Sequence, residues 1–128
     1  MSGKYKPGAC NIGQPERQMR YAFGILSFII AAGFVIAVIV FSFPRWSLLL
    51  SAIPLFGGVL GYFQGKKGFC VRYAMAGKYN ISQQLGAQES VSDEEAMQED
   101  RRQAKILLIR AAFTATTVAI VIFLIFSL

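Results

Sequence analysis

Apolar residues in this chain gather into three runs, with polar segments before, between and beside them. Residues 21–43 carry no charged side chain. As a helix, that stretch reaches about 34 Å, enough to cross a hydrocarbon core of about 30 Å. Pro44 and Arg45 then break the pattern, and residues 46–63 form a second uncharged run. At about 27 Å it is an adequate second span. Pro54 lies inside it and predicts a bend. The third run covers residues 111–128, and Arg110 at its edge can snorkel, which sets the span at about 106–128. The first run is long and a second follows at once, with no small-residue cleavage site between them. It therefore reads as a retained helix and not as a signal peptide.

The periodicity divides the chain into a segment 1–20, a hairpin 21–64, a polar loop 65–92 and a long helix 93–128. Composition agrees. Of 128 residues, 55% are hydrophobic and 16% charged, against about 25% charged in an ordinary soluble domain. This excludes a soluble enzyme domain, a disordered chain and a collagen-like fibre. The expected fold is an all-α integral membrane protein with three transmembrane helices. It comprises a helical hairpin plus a long C-terminal helix extending into the cytoplasm.

The charge of +6 first suggests nucleic acid as a partner, but its distribution gives a simpler account. Twelve of the thirteen Lys and Arg residues fall in the N-terminal segment and the loop side, and Arg45 alone lies in the turn between the first two runs. The positive-inside rule puts the N-terminus and residues 65–105 in the cytoplasm of a bacterial-type inner membrane, with the C-terminus outside. Arg17, Arg20, Lys66, Lys67, Arg72 and Arg110 then stand where anionic lipid headgroups can meet them. Arg17 and Arg20, three apart on one face, either bind lipid phosphate or hold the loop carrying Cys70 and Tyr73. Tyr21, Trp46 and Tyr62 sit at span ends, as interfacial aromatics do.

Within the loop, residues 68–77 mix apolar and basic side chains and read as a short helical or irregular piece at the membrane surface, ended by Gly77. Residues 80–90 read as a linker. Ser92 followed by Glu95 has the capping-box spacing and predicts a helix from Asp93 onward. Its first four turns are polar and are either solvated or docked on a partner.

Gly57, Gly61 and Gly65 recur every four residues and present one small face, while Gly33 and Ala37 offer another on the first span. These faces pack the hairpin on itself or receive a helix from another protein. Histidine is absent, which removes the commonest haem, zinc and copper ligand and the usual general base near neutral pH. No carboxylate lies within a span, and no phosphate loop or nucleophile–base–acid set is present. Cys10 and Cys70 are the two thiols, both predicted on the cytoplasmic side. Three readings are open: free thiols in a reducing compartment, a redox or sulfur-handling pair favoured by nearby cations, and metal ligation.

The segment Cys10-Asn-Ile-Gly13-Gln-Pro-Glu-Arg17-Gln-Met-Arg20-Tyr-Ala-Phe-Gly24 resembles the opening of the YgaP-like transmembrane domain family. Past the hairpin, Gly68-Phe-Cys70-Val-Arg-Tyr73-Ala-Met-Ala-Gly77-Lys-Tyr-Asn80 resembles that family's Cys-Pro-x-Tyr…Gly ending. The resemblance covers about residues 10–81. Val71 stands where the family has proline, and the helix from Asp93 is an addition. The resemblance implies a small inner-membrane hairpin. Members fused to a rhodanese domain suggest sulfur chemistry, but their catalytic cysteine belongs to that domain.

Taken together, the sequence predicts a non-catalytic accessory or structural subunit without cofactor, metal or nucleic acid. Its expected partners are other integral membrane proteins, in a hetero-complex of a larger bioenergetic or transport system, together with anionic lipids. The alternative is a thiol-redox or sulfur-relay membrane protein using Cys10 and Cys70.

Overall fold

The computed structural model describes residues 5–82 and 84–127. Lys4, counted above among the N-terminal basic residues, and the end of the third span at Leu128 lie outside them. The chain is mostly helical, with three helices long and apolar enough to cross a membrane. In order it forms α1 (Gln14–Val40), a 3-10 helix (Arg45–Ser51), α2 (Ala52–Lys67), α3 (Val71–Ala76), β1 (Lys78–Tyr79), β2 (Glu89–Ser90) and α4 (Glu94–Ser127). The β1–β2 pair is antiparallel and closes the loop expected to be a plain linker, so the fold is not purely helical.

α1 begins at Gln14, with Pro15 at the helix start, well before the uncharged run. It ends at Val40 with Phe41 as its C-cap, after which Ser42 adopts φ 57° and the Phe43 N–H reaches back to the Val38 carbonyl at 3.0 Å. This is a Schellman-type stop with serine where glycine is usual.

The second apolar element starts as 3-10 helix and becomes α-helix at Ala52. Pro54 explains the junction. An α-helical Leu50 carbonyl requires an N–H at position 54, which proline lacks. Here the carbonyls of Leu49 and Leu50 are taken by N–H groups at the end of the 3-10 helix. The extra rise of 3-10 geometry carries Arg45–Lys67 to about 38 Å.

α1 and α2 pack through small residues. Buried Gly24, Ala31 and Val38 recur every seven residues on α1; Gly24 meets Gly58 and Gly61 of α2, and Ala31 clusters with Leu55. A seven-residue repeat keeps one seam facing its partner. A Cβ on Gly61 would lie 2.8 Å from the Arg20 carbonyl oxygen and from Gly24 Cα, so the backbones touch there. Gly57 faces Ser27, and Gly65 faces the Tyr21 ring. Gly33 and Ala37 do not join this seam: among the described residues nothing approaches the Gly33 Cβ position within 4 Å, and Ala37 is only half-buried. The seam has drifted past them, because Gly24–Ala31–Val38 is the buried row of α1.

α4 lays a row of small residues on this hairpin. Ala96, Asp100, Ala104, Leu107, Ala111, Ala115 and Ala119 are its buried positions. Ala31, Leu55, Ala115 and Ala119 form one core cluster, and Phe69, Val71, Ala74, Ala104 and Leu107 form another at the polar end. The polar turns of α4 are thus docked, on one face, within their own chain. Asp93 caps α4 by accepting from the Glu95 N–H at 3.2 Å, so the cap falls one residue after Ser92.

Candidate functional site

At the polar end of the hairpin, six residues from distant parts of the chain form a buried hydrogen-bonded cluster. Gly68 ends α2 with φ 68°, and the chain turns there because Gln64 accepts from the Gly68 and Phe69 N–H groups at 2.9 and 3.1 Å. The Gln64 side chain then accepts from the Val71 N–H at 2.9 Å and starts α3. Residues 11 and 12 run beside this turn, both N–H groups donating to the Gly68 carbonyl. The fully buried Asn11 side chain doubles the pairing: it accepts from the Cys70 N–H at 2.6 Å and donates to the Cys70 carbonyl at 3.1 Å. An amide is suited to this because it presents a donor and an acceptor side by side, as a backbone strand would.

Glu16, also buried, is the second hub. It accepts from the Tyr73 hydroxyl at 2.6 Å, from Asn80 Nδ2 at 3.1 Å and from the Gly86 N–H at 3.1 Å. Its other oxygen lies 3.7 Å from Arg20 Nη2. Ionised carboxylates make the stronger hydrogen bonds, which is how the site holds the 80–86 loop against α1. Burial, reinforced by the bond to Glu16, pushes the Tyr73 phenol up to about 12. Asn80 also turns its own loop, accepting from the Ser82 N–H and hydroxyl.

The predicted residues separate into three groups. Arg17 turns toward its own chain: its Nε donates to the Gly65 carbonyl at 2.8 Å and Nη2 to the Lys66 carbonyl at 3.2 Å, capping α2. Arg20 is half-buried and donates to Cys70 Sγ at 2.9 Å. Lys66, Lys67, Arg72 and Arg110 are exposed. Both cysteines are free. They come to one turn with different neighbours, Cys10 Sγ pointing at the Ile12 carbonyl oxygen at 3.6 Å and Cys70 at Arg20. Among the described residues no group of three or more His, Cys, Asp or Glu side chains is placed to hold a metal ion.

A second anchor ties the N-terminus to α4. Buried Asp100 accepts from the Tyr5 hydroxyl and, at 2.7 Å, from the Gly8 N–H. Tyr5 stacks on Tyr79 with ring centroids 4.5 Å apart. Sequence reasoning missed Glu16, Gln64, Asn80 and Asp100 as buried groups. For Asp100 a signal exists: it falls on the four-residue row of alanines at 96 and 104, the face of α4 that packs. Among the described residues no buried side-chain nitrogen or oxygen lacks a partner, so the cluster is fully satisfied.

Compared with protein-family models, curated proteins and solved structures, the chain has no match.

Proposed function

We propose that the protein is a non-catalytic integral membrane subunit that packs against other membrane proteins through α1. The observation that carries this reading is Gly33. It lies exposed in an apolar face with Ile29 and Ile36, both about 60% accessible, and nothing among the described residues comes within 4 Å of its Cβ position. Glycine in such a face lets another backbone approach closely. The polar cluster supports the same reading, since its groups bond to one another and brace the elements. The bias of basic residues supports an inner-membrane orientation with the N-terminus and the α3–β2 region cytoplasmic. Exposed Lys66, Lys67 and Arg110 then face lipid headgroups, and the YgaP-like resemblance implies the same membrane hairpin.

The test is the native mass of the protein extracted from its own membranes in mild detergent. Co-migration with a larger complex at fixed stoichiometry, lost in Gly33→Leu, is the expected result. A lone monomer for the unaltered chain would overturn the proposal.

A second reading is favoured by one contact, the Arg20 guanidinium donating to Cys70 Sγ at 2.9 Å. It makes Cys70 a redox or sulfur-relay thiol. Alkylation of Cys70 at neutral pH much faster than Cys10, and slowed by Arg20→Gln, would support it. Equal, sluggish labelling of both would sink it.

A further inference from the structure

Between α1, α2, α3 and residues 85–88 lies a cavity of about 670 Å³, a volume typical of small-ligand sites. Its lining divides by chemistry. Met19, Phe23 and Leu60 make an apolar floor, and Arg20, Arg72 and Tyr73 make a cationic rim. The two guanidinium carbons stand 5.9 Å from the centroid of the same Tyr73 ring. Arg72 is exposed and has no ion pair among the described residues. Glu16 also lines the cavity, but its charge is met by Tyr73, Asn80, Gly86 and Arg20, which leaves the rim net positive.

Position adds a second constraint. Phe23 lies three residues beyond Arg20, about 4.5 Å further along the helix axis and inside the uncharged run that begins at Tyr21. The cavity therefore straddles a polar–apolar boundary, with cations on the polar side and apolar side chains on the other. A ligand that satisfies both ends is an amphiphile with an anionic head. Guanidinium groups match phosphate oxygens in charge and fork geometry.

We propose that this cavity binds one anionic lipid, its phosphate against Arg20 and Arg72 and the start of an acyl chain along Met19, Phe23 and Leu60. The proposal rests on the membrane reading but not on the subunit reading, since a monomer would bind the lipid as well as a complexed chain. It also narrows the headgroup contact to the two arginines that line the cavity, Arg20 and Arg72; Arg17 is not among the lining residues.

Native mass spectrometry of the full chain in dodecyl maltoside tests it, with equal phosphatidylglycerol and phosphatidylcholine as probes. The expected result is one retained phosphatidylglycerol, favoured at least tenfold over phosphatidylcholine. Arg72→Glu should reduce retention at least fivefold. Leu85→Trp should do the same by filling the mouth, where Leu85 is 54% exposed and can be replaced without opening the core. Arg101→Glu changes net charge equally on an exposed face of α4 and should leave retention unchanged. Equal retention of the two lipids, or retention unaffected by both Arg72→Glu and Leu85→Trp, would overturn the proposal. Displacement by equimolar inorganic phosphate would also overturn it, because the site would then recognise a free anion. The extraction experiment reads the subunit proposal separately.

Discussion

A single methyl group at Gly61 should separate the hairpin. A Cβ there lies 2.8 Å from the Arg20 carbonyl oxygen and Gly24 Cα, and 2.9 Å from Gly24 N. All three are backbone atoms of α1, so no side chain can swing aside. Restoring ordinary contact near 3.6 Å needs an opening of about 0.8 Å, which forfeits a quarter to a half of each dispersion well at that level. Overpacking of this kind typically costs about 1–3 kcal/mol. Alanine also gains up to about 1 kcal/mol in helix propensity over glycine, which partly masks the loss. Gly33→Ala supplies the correction, because nothing lies within 4 Å of its Cβ position and only the propensity change remains. The difference between Gly61→Ala and Gly33→Ala isolates the contact, at about 1–3 kcal/mol destabilising. Titrating dodecyl maltoside micelles with SDS and following helical circular dichroism gives both midpoints. If Gly61→Ala unfolds at the same SDS fraction as Gly33→Ala, or later, the close backbone approach is wrong.

Three further outcomes follow from other contacts. Ser42→Gly should stabilise by about 1 kcal/mol in the same titration, because Ser42 holds a left-handed φ of 57° that glycine adopts without strain. The Tyr73 phenol holds its proton to about 12 when folded, whereas an unfolded tyrosine releases it near ~10. Its contribution is therefore complete below about pH 10 and declines as pH rises toward 12, so Tyr73→Phe should flatten that decline in a pH series of unfolding midpoints. Asp100→Ala removes the acceptor for Tyr5 and Gly8, and limited proteolysis should cut within residues 5–9 at least several-fold faster while α1 stays intact.

The apolar helices were legible because their signal is local. Each run of uncharged residues is long enough to declare itself, and the Gly57, Gly61 and Gly65 spacing points to the packed face of α2. The polar cluster was not legible, because its bonds join residues far apart in sequence: Asn11 with Cys70, Glu16 with Tyr73 and Gly86, Tyr5 with Asp100. No periodicity links such pairs. Arg17 illustrates the ambiguity. A basic residue just before an apolar run reads as a headgroup contact, yet here the end of α2 comes close enough for its carbonyls to take the guanidinium instead. Gly33 shows the reverse case, a residue on a plausible small face that the helix rotation turns away from its neighbour.

α4 has a mechanical consequence. It is one unbroken helix of 34 residues, about 51 Å long, with the alanine row continuing from the apolar cluster to Asp100. A rod of this kind transmits tilt rather than absorbing it. With its apolar end held in a bilayer, a change of about 10° displaces Asp100, some 16 Å beyond Ala111, by about 3 Å. That displacement exceeds the reach of the Asp100 hydrogen bonds to Tyr5 and Gly8. With the helix inserted, bilayer thickness and the attachment of the N-terminal segment would be two ends of the same lever.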